Sequence, residues 1–275
     1  MNFNTIVDSI SKLPPLSDTA KVIDRLYVNG AENVDILNLV RAIESDASLT
    51  VNILKMINAP YYGFSRKIAS VSQAVTLFGT QTIYGLVVRF CIESMLVANV
   101  RPYGVTSTQF NVISHLQSAL MNQWYSKIDL HHAQFLTPLT LIMESGKMIT
   151  SREIVKAGKI KEFQDGLKDA ENYVEYENSF FGTSSYYVSG LLFEHWNLEP
   201  LYAKILKGLD FESDDTSSQV AAYIDSLDVV RTAINPHEIF TKNSIAKACA
   251  IVEDMGFDPG QFITTIERLK KKMHD

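Results

Sequence analysis

Cysteine is nearly absent: Cys91 and Cys249 are the only two thiols in 275 residues. Each lies in an apolar helical context, and two scattered thiols exclude a disulfide framework and fit a reducing cytoplasm. A basic surplus is missing as well, since 25 Lys and Arg face 31 Asp and Glu, for a formal charge of −6. The electrostatic footprint of a general nucleic-acid binder is therefore lacking. Met1 to Asp8 holds no basic patch and leads into no apolar run, so no signal peptide is expected. The stretch from Ile68 to Val88 carries no charge, but Ser70, Ser72, Gln73, Thr76, Thr80, Gln81 and Thr82 make it too polar for membrane insertion. Buried helices on either side of a break at Phe78-Gly79-Thr80 are expected there instead. No short internal repeat and no low-complexity tract is present.

What the chain does have is a globular composition, 46% apolar and 10% aromatic, with enough length for one large domain or two small ones. The apolar pattern is helical nearly throughout. Val34, Leu37, Val40 and Ile43 recur at helix spacing, as do Leu49, Ile53, Leu54 and Ile57, and near the end Phe262, Ile266, Leu269 and Met273. Start signals stand at Asn33, at Asp46 or Ser48, and at Asp258-Pro259; stops stand at Asn29-Gly30, Asn58-Ala59-Pro60 and Met255-Gly256. Sustained alternation with a hairpin dipeptide is missing, and the expected fold class is all-α. Composition shifts suggest three segments: about 1 to 105, about 106 to 210, and a C-terminal helical group from 211 to 275 behind the acidic, Ser-rich stretch Glu212 to Ser218.

Residues able to carry chemistry are few, and most have ordinary explanations. His131-His132 lacks the i,i+4 spacing that puts two imidazoles on one helix face, and reads as a surface pair at a helix start. His195 reads as a packed or surface residue beside Trp196. Cys91 and Cys249 read as inert. Gly146-Lys147 has the last two letters of a phosphate loop, but Leu141 and Met148 stand where Gly and Ser or Thr are needed, so the match is chance. Asp46 is explained by capping. Lys270-Lys271-Lys272 complements a helix C-terminus. Tyr61-Tyr62-Gly63-Phe64, with Arg66 and Lys67 beside it, either staples a loop to the core or forms an interaction surface; Tyr61, Tyr62, Phe64 and Arg66 are its candidate residues.

An ordered series of short segments resembles the HDOD (HD-related output domain) family of bacterial signalling proteins. It opens at Leu13-Pro14-Pro15-Leu16 and continues through Glu44-Ser45-Asp46-Ala47-Ser48-Leu49-Thr50 and Leu54-Lys55-Met56-Ile57-Asn58-Ala59-Pro60. Ile68-Ala69-Ser70-Val71 and Leu77-Phe78-Gly79 follow, then Glu177 to Gly182, Val188 to Trp196, Leu198 and Pro200. Residues 6 to 210 are covered. Ala47, Ile57 and Pro60 depart from the family's usual Pro, Ala and Ser.

The resemblance implies an N-terminal helical subdomain packed on a degenerate HD-like one. In the HD superfamily a divalent metal is held by a His, a His-Asp pair and a distant Asp. Carried across, the first His falls on Ser114, with His115 one place off, about 100° around a helix. The His-Asp pair falls on Met143-Glu144, and the late Asp on Asp225 by a loose alignment. Met is a poor ligand for hard divalent ions, and one retained carboxylate does not hold a catalytic ion. The expectation is a cytoplasmic, non-catalytic regulatory module, without metal or cofactor, acting on a signalling protein or on a nucleotide-like ligand. The alternative is a divergent metal-dependent phosphohydrolase of nucleotides or cyclic dinucleotides, with His115, Glu144 and Asp225 as rearranged ligands.

Overall fold

The computed structural model describes residues 2–62, 66–96, 99–210 and 218–274. Among them the regular structure is helical, with a single isolated β-bridge between Ile234 and Ile239. The helices are, in chain order, α1 (Phe3–Ser11), α2 (Asp18–Leu26), α3 (Ile36–Glu44), α4 (Ala47–Ile57), α5 (Val71–Met95), α6 (Ser107–Tyr125), α7 (Leu130–Ile142) and α8 (Gly146–Lys156). There follow α9 (Ile160–Lys168), α10 (Tyr173–Phe181), α11 (Ser185–His195), α12 (Pro200–Gly208), α13 (Ser218–Ala233), α14 (Lys242–Asp254) and α15 (Pro259–His274). The chain forms two compact units, neither of them continuous in sequence. One comprises residues 1–14, 95–114 and 143–259; the other comprises 15–94, 115–142 and 260–275.

In the first unit α8, α11 and α12 make the centre, and α1 packs on α8 and α11. Ile6, Ile10, Ile149, Ile154, Val188, Leu192, Phe193, Tyr202 and Ile205 are buried there. Two glycines set the spacing. A Cβ at Gly146 would lie 1.9 Å from the Ser185 carbonyl oxygen, and one at Gly190 would lie 2.8 Å from that of Ala203. The helices therefore approach backbone to backbone, and a side chain at either position would prise them apart. The opening motif is tied in here too, because Trp196 Nε1 donates to the Pro14 carbonyl at 3.0 Å.

In the second unit α5 is interrupted at Gly79, whose φ of 77° and ψ of 163° are open to glycine alone. This is the expected break. α5 is also the one described helix long and apolar enough to cross a membrane, and about two thirds of its most apolar window is buried inside the protein. It crosses α7 at a close contact, where a Cβ on Gly85 would meet Pro138 Cβ at 2.0 Å. Trp124 and Phe262 pack edge to face at 5.0 Å, seating α15 on α6. Phe262, Ile266 and Leu269 are buried as the stripe predicts, but Met273 is 38% exposed, one turn beyond the packed part of the helix.

Local signals account for most boundaries. Asp46 Oδ1 accepts from Leu49 N at 2.9 Å and starts α4. The start expected at Asn33 falls instead on Asp35, whose carboxylate accepts from Leu37 N and Asn38 N. Residues 31–33 form a 3₁₀ turn before it, since two backbone donors satisfied by one carboxylate outweigh an amide cap. Asn58 closes the loop after α4: its Nδ2 donates to the carbonyls of Leu54 and Ile68, and its Oδ1 accepts from Ile68 N at 2.8 Å.

Candidate functional site

The junction before α8 is the most charged interior in the first unit. It lies within Leu139-Thr140-Leu141-Ile142-Met143-Glu144-Ser145-Gly146-Lys147-Met148-Ile149, where Glu144 and Lys147 are the only charges. Both side chains are buried, and Lys147 Nζ lies 2.6 Å from Glu144 Oε2. The same ammonium donates to Ser185 Oγ at 3.0 Å and faces the Tyr186 ring, 4.2 Å from its centroid. Tyr186 Oη donates to Glu144 Oε1 at 3.2 Å. A second buried carboxylate, Glu177, accepts from Tyr103 Oη and from Ser185 N, each at 2.6 Å. Arg231 of α13 lies over the Tyr186 ring, 4.7 Å from its centroid, and its Nε bonds Asp228 at 2.5 Å.

The buried charges set the protonation of the lysine and of the two phenols. Burial works against the Lys147 ammonium, but the Glu144 charge, with Glu177 behind it, more than offsets that, so its pKa is raised and it stays charged. Burial and the Glu144 charge push the Tyr186 hydroxyl up. Burial and Glu177 do the same for Tyr103. Both phenols therefore act as donors to carboxylates.

The four positions carried over from the HD pattern fare differently. Glu144 is held by Lys147 and Tyr186 as described. Met143 is fully buried and offers only a thioether. The Ser114 hydroxyl is buried and donates back to the Phe110 carbonyl at 3.2 Å. Asp225 is exposed on α13. His115, the ligand of the rearranged alternative, belongs to the second unit. Among the described residues no three His, Cys, Asp or Glu side chains form a group suited to a metal ion. A divalent ion needs several convergent N or O donors and an open position; these residues do not fit one.

A cleft of about 610 Å³ opens beside the network, with Tyr173, Tyr186, Asp228, Arg231, Asn235 and Lys247 among its lining residues. Tyr186 and Arg231 thus face the cleft and the buried ion pair together. From sequence Lys147 enters only through a chance phosphate-loop match and Glu177 only as the start of a family-like segment, while Tyr186 and Arg231 carry no signal. The usable signal was a Glu and a Lys three residues apart, alone in an otherwise uncharged run.

The aromatic patch lies in the second unit. Tyr62 turns partly inward: its ring packs edge to face on Phe78 at 5.4 Å, and its hydroxyl donates to Ser118 Oγ at 3.3 Å. Tyr61 is half-buried, and its carbonyl accepts from Gln123 Nε2 at 2.9 Å. Arg66 is exposed, and Phe64 lies outside the described residues. His115 is part-buried edge-on to Tyr62, with its Nδ1 lacking a protein partner. Burial, then the Arg89 charge, lowers its pKa to about 4. His131 and His132 begin α7, where Asp129 caps His132 N at 2.8 Å, and His195 is exposed.

A family model that covers most of the chain makes this all-α protein a signalling-related, HD-like helical module. The chain belongs to the HDOD domain family, whose profile matches residues 13–207. A search of curated proteins gives no match. Among solved structures, a virulence factor of Campylobacter jejuni subsp. jejuni is 24% identical, with a TM-score of 0.56 and 95% of each chain covered. An HDOD domain protein of unknown function from Geobacter sulfurreducens is 15% identical, with a TM-score of 0.67 over 96% of this chain and 92% of that one. A protein of Shewanella amazonensis, whose given name proposes a phosphohydrolase, is 16% identical, with a TM-score of 0.67 over 97% of this chain and 93% of that one. Likeness at these identities speaks to the fold alone.

Proposed function

We propose that this protein is a non-catalytic regulatory module of bacterial signal transduction, located in the cytoplasm, that works by binding a protein partner or a small ligand. The observation that carries this reading is the state of the inherited metal positions. The one acid among them inside the protein, Glu144, is already paired with the Lys147 ammonium and hydrogen-bonded by the Tyr186 hydroxyl, while Met143 and Ser114 supply no competent ligand. The cleft lined by Tyr186 and Arg231 supports the small-ligand form of the reading, since aromatic and charged groups converge there. The half-buried Tyr61 and exposed Arg66 support the protein-partner form.

The competing reading is a divergent phosphohydrolase using His115, Glu144 and Asp225. It asks Glu144 to leave a buried ion pair and Asp225 to act from an exposed helix face. Incubation of the full chain with nucleotides and cyclic dinucleotides in Mn²⁺ or Mg²⁺ decides between them. The regulatory reading expects no turnover above a buffer control; chelator-sensitive hydrolysis would refute it.

A further inference from the structure

Lys147 stands in the first turn of α8, the end of a helix where the backbone dipole disfavours a cation. It is also only 5% exposed, so it gains little from water. Neither helix electrostatics nor solvation explains a lysine at this position. Its surroundings do: a carboxylate oxygen of Glu144 at 2.6 Å, the Ser185 hydroxyl at 3.0 Å, and the rings of Tyr186 and Tyr103 with centroids at 4.2 and 5.4 Å. These groups form a cage for one small cation. Glu144 stands where the HD pattern places a metal-binding acid, so the ammonium sits against the side chain that would have met the ion.

We infer that Lys147 is the resident cation of this site, a tethered ammonium that performs the charge balancing of a divalent ion and leaves such an ion no place. The inference goes beyond the regulatory reading, because it concerns what holds the site together, whatever binds in the cleft. Two consequences follow from the chemistry. Removing the ammonium strands a buried carboxylate. Truncating the side chain to Ala leaves a space bordered by Glu144, Ser185 and two aromatic rings, which suits a free alkylammonium ion.

The test uses the full chain as wild type, Lys147→Ala, Lys147→Met and the double variant Glu144→Gln/Lys147→Met. Each is melted in sodium chloride, methylammonium chloride and manganese chloride at matched ionic strength. Wild type is expected to melt at the same temperature in all three. Lys147→Ala is expected to melt roughly 10 °C lower in sodium chloride and to recover part of that loss in methylammonium. The double variant should melt above Lys147→Met, because its charge deficit is removed at both ends. Equal melting of Lys147→Ala in methylammonium and sodium chloride would overturn the inference, as would a chelator-reversible gain of wild type in manganese. If Lys147→Ala does not fold, the two Met variants decide: a double variant less stable than Lys147→Met refutes it. Hydrolytic turnover by wild type would refute the regulatory reading and leave these melting comparisons intact.

Discussion

Gly146 of α8 meets Ser185 of α11 so closely that a Cβ at 146 would sit 1.9 Å from the Ser185 carbonyl oxygen and 2.7 Å from Ser189 N. Gly146 N also donates to Ser189 Oγ at 2.8 Å, and that hydroxyl donates to the Met143 carbonyl at 2.7 Å. The backbone crossing fixes where Glu144 and Lys147 enter the interior. Helix propensity alone would make Gly146→Ala stabilising by about 1 kcal/mol. Overpacking against backbone atoms that cannot swing aside costs more, and a net loss of about 3 kcal/mol is expected. Urea denaturation measures it, and a variant as stable as wild type would show that the helices separate freely.

His115 is expected to make the stability of the second unit fall in acid. Its folded pKa of about 4 lies below the unfolded value near 6.5, so between those values the unfolded chain binds the extra proton. Stability from this group is therefore intact above pH 6.5 and is lost as pH falls toward 4, by at most about 3 kcal/mol. The slope difference between wild type and His115→Phe over that range isolates the effect from other titrations. Parallel curves would place the imidazole in water.

Asn58 holds both ends of the loop that follows α4, donating to Leu54 and Ile68 carbonyls and accepting from Ile68 N. Asn58→Ala leaves three backbone groups to find other partners, and a loss of about 2 kcal/mol is expected. Asn58→Asp retains the acceptor and should lose less. Chemical denaturation of the two variants checks the order, and the reverse order would contradict it.

Within the aromatic patch the residues divide by what they touch. Tyr62→Ala should cost about 2–3 kcal/mol, since its ring and hydroxyl are used inside its own unit. Arg66→Ala should change stability by less than about 0.5 kcal/mol. A docking role is therefore tested with Tyr61→Ser and Arg66→Ala, each first shown to melt at the wild-type temperature. Unchanged recovery of partners from native-host extract with both would dismiss this surface.

Much of the fold was legible because it rests on local rules. Asp46 caps a helix, Gly79 breaks one, and the stripe of Phe262, Ile266 and Leu269 faces a core. The division of the chain into two interleaved units was not legible, because no composition shift records where a chain passes from one body to another. The site was half legible. The retained segments pointed to Met143-Glu144, but the meaning of Lys147 depends on Ser185 and Tyr186, nearly forty residues later, and such convergence leaves no periodic trace. Asp35 displaced Asn33 as a cap for a smaller reason: both residues are competent, and the one reaching two backbone donors prevails.

The metal content of the full chain, purified from its native host without chelator and measured by plasma mass spectrometry, bears most directly on a site balanced by its own lysine. Background traces of manganese, iron and zinc, unchanged after dialysis against each ion, are expected. One ion retained per chain, and released when Glu144 is replaced by Gln, would contradict the account.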